Sequence, residues 1–157
     1  MTTPTYVASG YNGDDGDFLR CKVDRSGALR SQYFTTSVTA AAASDVVVGL
    51  VPFQKGYRFH PNASTVHVTD MDTDSDLTLD FGYVYDDDAT YTNDPNAFAT
   101  QLTTGQTGGL IAFDEHAGLS WEAEANGWIV MVIGVGGTSY TTIVVKGQAV
   151  GCYDPAV

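Results

Sequence analysis

A chain of 157 residues with 43% hydrophobic residues can build one domain with a real core, which argues against a disordered acidic tail. Its formal net charge of −12 repels phosphate backbones and argues against direct binding of DNA or RNA. Charged residues make up only 17% of the chain, so Thr, Ser, Gly, Asn and Gln must cover much of the surface.

The chain opens with a small, polar, Gly/Asp-rich stretch over residues 1–17, which reads as an extended arm. Met1-Thr-Thr-Pro4 has neither a basic nor an apolar stretch, so no signal peptide is expected. Phe18 to Val23 and Ala28 to Val38 have strand character, with Arg25-Ser-Gly27 as the turn between them. Ala40 to Ala43 are too few for a stable helix and read as a tight connection. Val46 to Val51 is a short buried strand that Pro52 should end. Tyr57 and Phe59 alternate around Arg58, Val66 and Val68 around His67, and Leu77, Leu79 and Phe81 with Thr78 and Asp80. Such period-2 runs put one face in a core and the other in solvent or an interface.

Asp94 and Pro95 have the character of an N-cap and first helical residue, so one short helix is expected over Asn96 to Leu102. Leu119, Trp121, Ala123 and Ala125 alternate with polar residues, and Asn126-Gly127 then leads into Trp128 to Ile133. Asn-Gly between two such runs predicts a hairpin with a type I′ turn. After the glycines of residues 134–137, Thr141 to Val150 is a last strand. No segment sustains a 3.6-residue period, and the longest apolar run, Trp128 to Val135, is too short to span a bilayer. About eight short strands separated by Gly-rich turns predict an all-β, antiparallel β-sandwich of jelly-roll type. Residues 1–44 form an N-terminal arm with one or two strands, and residues 45–157 the sandwich.

Charge is unevenly spread. The stretch from Phe59 to Val145 holds 13 Asp and Glu and no Lys or Arg. Four of the seven basic residues, Arg20, Lys22, Arg25 and Arg30, crowd into one short segment. That segment is the one place in the chain with a local positive balance. Asp70, Asp72, Asp74 and Asp76 recur at every second position and supply the early ligands of a calcium loop. An EF-hand also needs Gly at position six and Glu at position twelve; here those are Ser75 and Phe81, and no helices flank them, so an EF-hand is rejected. A β-loop Ca2+ site and a solvated acidic loop remain as the two readings of these carboxylates; no other cofactor is implied.

No catalytic residue is assigned. Glu122 and Glu124, at i and i+2 of a strand, would lie roughly 6.5–7 Å apart and could serve glycoside hydrolysis, but an exposed polar strand face explains them better. The glycines of residues 134–137 lead into a strand, not a helix, and so are a turn rather than a phosphate loop. His60, His67 and His116 lack metal spacing. Asn62-Ala-Ser64 fits the glycosylation pattern by chance, since no secretion signal accompanies it. Nine Tyr and two Trp are read as core and interface residues, with a sugar platform as the rival. Cys21 and Cys152 are too few for a disulfide scaffold and read as unpaired thiols of a reducing cytoplasm, with a bridge between the chain ends as the alternative.

From Val46 onward the order of features resembles the capsid decoration (cement) and other small virion proteins of tailed phages. The features are Leu50-Val-Pro-Phe-Gln-Lys-Gly-Tyr-Arg-Phe59, then Thr65-Val-His-Val-Thr-Asp-Met-Asp72. Leu77-Thr-Leu-Asp-Phe-Gly-Tyr83, Asp86-Asp-Asp88 and Asp94-Pro-Asn-Ala-Phe98 follow. The resemblance covers about two thirds of the chain, and the order of its pieces carries it. It implies a non-enzymatic protein of the virion, made in the host cytoplasm, that binds the outer capsid surface and stabilises the shell. Its partners would be the major capsid protein, contacted through Arg20, Lys22, Arg25 and Arg30, and further copies of itself in a homotrimer, with no nucleic acid and no membrane. A carbohydrate-binding module, calcium-dependent or not, is the alternative from another class; a tail or head-fibre component is a third reading.

Overall fold

A computed structural model describes residues 6–7, 9–10, 29–38, 46–70, 77–113, 115, 120–134 and 143–153. Among them the chain is all-β, in two sheets packed face to face. The strands are β1 (Tyr6–Val7), β2 (Ser9–Gly10), β3 (Arg30–Val38), β4 (Val46–Phe53), β5 (Tyr57–Phe59), β6 (Thr65–Val68), β7 (Leu79–Tyr85), β8 (Asp94–Leu102), β9 (Gly109–Leu110), β10 (Gly127–Ile133) and β11 (Ile143–Tyr153). The first sheet has the order β1-β4-β10-β7-β8. The second has the order β2-β3-β11-β6-β9, and β5 pairs with the far end of β11. Neighbours run antiparallel except β1 beside β4. The chain crosses repeatedly from one sheet to the other, as a jelly-roll winding requires.

Alternation along the strands builds the core. Phe34 and Val38 of β3, Val66 and Val68 of β6, Leu79 and Phe81 of β7, and Met131 and Ile133 of β10 all point between the sheets and are buried. Aromatic rings fill one end. Phe59 lies 4.7 Å from Phe98, Trp121 stacks on Tyr83 at 4.5 Å, and Phe53 meets the Trp121 edge at 5.2 Å. Each such pair adds about 0.5–1.5 kcal/mol beyond its buried area. The expectation that the aromatic residues are mainly core holds for these rings.

In the first sheet the central strands β4 and β10 are apolar on both faces. Val47, Val84, Val130 and Val132 are buried with Trp128 against them, in a second cluster separate from the main core. Their positions alternate with the core-facing Ile129, Met131 and Ile133, so they line the outer side. A strand buried on both faces has no reason to alternate, which explains the unbroken run from Trp128 to Ile133.

Three sequence expectations are corrected. Asn96 to Leu102 is not a helix but most of β8. The cap signal at Asp94 and Pro95 is local, and pairing with β7 outweighs it. The pairing is irregular: Leu79 faces Leu102, Phe81 faces Ala99, and Tyr83 faces Asp94, so β8 carries bulges. Gly82 is where the bulge comes closest, because a Cβ there would run into the backbone of Asp94, Pro95 and Asn96. Asp80 ties down the far side by accepting hydrogen bonds from Gln101 N (2.6 Å) and Thr100 Oγ1 (3.2 Å). Gln101 there has a positive φ of 50°, a conformation that a non-glycine residue adopts only when its surroundings hold it.

The expected hairpin at Asn126-Gly127 does not form. Gly127 is the first residue of β10, which pairs with β4 and β7 rather than with residues 121–125. That preceding segment crosses the end of the sandwich, with Ala123 N donating to Tyr57 O (2.8 Å) and Gly56 N to Ala123 O (2.7 Å). Its alternation arises because Trp121 and Ala123 dip into the core end. Pro52, finally, does not end its strand. Pro52 pairs with Trp128 on one side, while β1 covers β4 only at Val48 and Gly49, so the missing N–H falls where no β1 partner needs it.

The expected strand over Phe18 to Val23, the connection at Ala40 to Ala43 and the turn at residues 134–137 lie wholly or mostly outside the described residues. The last strand runs to Tyr153, three residues further than expected.

Candidate interaction surface

Among the described residues no group of three or more His, Cys, Asp or Glu is placed to hold a metal ion. Of the four alternating aspartates, Asp70 is described and exposed, just beyond the end of β6; Asp72, Asp74 and Asp76 lie outside the described residues. Of the basic cluster, Arg30 is the first residue of β3, opposite Gly151 of β11. Arg20, Lys22 and Arg25 lie outside the described residues, as does Cys21. Cys152 has a free thiol, with its Sγ 3.4 Å from His60 Nε2.

Glu122 and Glu124 do not share a strand face, contrary to expectation; they sit in the crossing segment on either side of the buried Ala123. Both line an open hollow of about 520 Å³ with Lys55 and Tyr91. Glu122 Oε2 accepts hydrogen bonds from Arg58 Nε (2.9 Å) and Nη2 (2.7 Å), which holds the carboxylate against β5. Beneath Glu124, its backbone N–H donates to the Tyr85 hydroxyl (3.2 Å). Burial is the main cause that lifts the Tyr85 phenol above its ordinary value; burial, then the neighbouring Tyr85, lifts that of Tyr83. The Glu122 carboxylate on Arg58 and the Glu124 backbone on Tyr85 fasten the crossing segment to the sandwich end.

The second sheet presents a different surface. Tyr33, Thr35, Thr65, His67, Lys146 and Gln148 alternate with core residues and line its outer side. Lys146 lies between Thr35 and His67, and Gln148 between Tyr33 and Thr65. Gln148 Nε2 donates to Ser31 Oγ at 2.6 Å, which ties β11 to β3 across the face. Tyr33 and Leu110 on this face are 58% and 64% exposed. An open hollow of about 510 Å³ lies over Tyr33, Thr65, Lys146 and Gln148. Sequence reading passed over this face, although the alternation of Tyr33, Thr35 and Ser37 with Phe34, Thr36 and Val38 marked it. The missing information was which strands lie beside β3.

No family model and no curated protein matches the chain. Solved structures do resemble it. A chain of the capsid of Ralstonia phage GP4 superposes with a TM-score of 0.71 at 18% identity, over 86% of this chain and 90% of that one. A chain of the cyanophage Pam1 capsid superposes with a TM-score of 0.60 at 14% identity, over 80% of this chain and 84% of that one. The chain shares their fold.

Proposed function

We propose that this chain is a non-enzymatic structural component of a phage virion, which binds the outer surface of the capsid and stabilises the shell. The observation that carries the reading is the superposition on two phage capsid chains over at least four fifths of every chain compared. It agrees with the order of features from Val46 onward. A rigid sandwich suits the role, because a protein seated across seams between shell subunits resists internal pressure through buried area alone. The partners in this reading are the major capsid protein and other copies of the chain, as a homotrimer. The chain is made in the host cytoplasm and ends on the capsid surface, where its net charge of −12 would keep particles dispersed.

The experiment is quantitative mass spectrometry of DNA-filled particles sedimented from a culture of the source organism. Copy numbers near one-to-one, or a simple fraction, with the dominant shell protein are expected. A few copies per particle would move the chain to a tail or fibre. Recovery in the soluble fraction alone would end the virion reading.

A further inference from the structure

The two sheets differ in charge. Strands of the first sheet carry Asp80 and Asp94 and no Lys or Arg. Strands of the second carry Arg30, Arg58 and Lys146, with His67, and no Asp or Glu. In a chain of net charge −12 this segregation leaves one sheet without an acidic strand residue. The Arg58 charge is met by Glu122, which reaches in from outside the sheet, so Lys146 is the cation at the centre of the open face.

We infer that the outer face of the second sheet is the docking surface of this chain, and that its partner is an acidic protein surface. The inference rests on the virion reading, in which that surface belongs to the shell. From β3 through β11 and β6 to β9 the face is four strands, or roughly 14 Å, wide. Exposed Tyr33 on β3 and Leu110 on β9 flank that span and supply aromatic and apolar contacts of the kind found in protein interfaces. Lys146 supplies the charge that selects an acidic partner and orients its approach. A phosphate backbone would also favour Lys146, but it needs a row of cations, and Lys146 is the one lysine on this face among the described residues. The first sheet offers no comparable face, since its outer valines are already buried.

The test uses shell particles stripped of the chain and the purified full chain added back. Lys146→Glu and Tyr33→Ala are compared with Lys55→Glu, which makes the same charge change in the exposed turn between β4 and β5. Both face variants should weaken rebinding at least about tenfold, and Lys55→Glu should stay within about twofold of the parent. All three positions are exposed, and unchanged melting curves confirm that each variant folds. If the parent rebinds and the face variants rebind equally well, the docking face is wrong while the virion reading stands. Equal losses for Lys55→Glu and Lys146→Glu would also overturn the face, because overall charge would then explain both. If the parent itself fails to rebind, the virion reading falls and the inference with it.

Discussion

Gly82 and Tyr83 are neighbours in β7 that answer to different forces. At Gly82 the missing Cβ lets the β8 backbone pass over the sheet, and the obstructing atoms are backbone, which cannot swing aside. Gly82→Ala should therefore cost about 1–3 kcal/mol or more, as overpacking does, seen as a lower urea midpoint at unchanged slope. An unchanged midpoint would mean that β8 does not bulge there. Tyr83 is half-buried, and burial is the first cause of its raised pKa. The unfolded phenol titrates near 10, so above that pH the unfolded chain loses its proton first. Stability from this group is thus full below about pH 10 and lost as pH rises through the folded value. Melting temperature should fall more steeply above pH 10 in the parent than in Tyr83→Phe. Parallel curves would remove Tyr83 from the alkaline loss.

Elements whose pattern is local were legible in the sequence, and those decided by neighbours were not. β5, β6 and most of β7 follow from plain alternation, because one face of each meets the core and the other does not. For β8, Asp94-Pro95 is a sound helix cap in isolation, and nothing local announces a bulged partner of β7. Asn126-Gly127 was read as a turn because the dipeptide usually is one. Here a Cβ on Gly127 would meet Val84 O, the Phe53 ring and Tyr85 Cα, so this glycine serves close packing of β10 against its neighbours. The two roles separate cleanly. In a type I′ turn Gly127→Asn would cost little, since Asn tolerates positive φ. In β10 it should cost about 1–3 kcal/mol or more by overpacking, measurable by chemical denaturation. A near-neutral result would restore the hairpin.

At the scale of the whole molecule, the division of labour between the sheets is the main finding. One sheet has buried valines on the outer side of its central strands; the other keeps an open face with Tyr33, His67 and Lys146. Neither property is visible until strands are assigned to sheets, because basic residues far apart in sequence, Arg30, Arg58 and Lys146, become members of one sheet only through β11 pairing with both β3 and β5. The all-β class and the antiparallel sandwich were readable from strand spacing and turns, whereas strand order was not. The proposal is that a protein with this fold, shared with two phage capsid chains, acts through its outer surface. Cryo-electron microscopy of intact particles from the source culture tests that claim most directly. The account predicts a two-sheet density repeated on the outside of the shell, with the second sheet turned inward and Lys146 against the shell protein. Particles with a bare outer shell, or with this density confined to the tail, would contradict it.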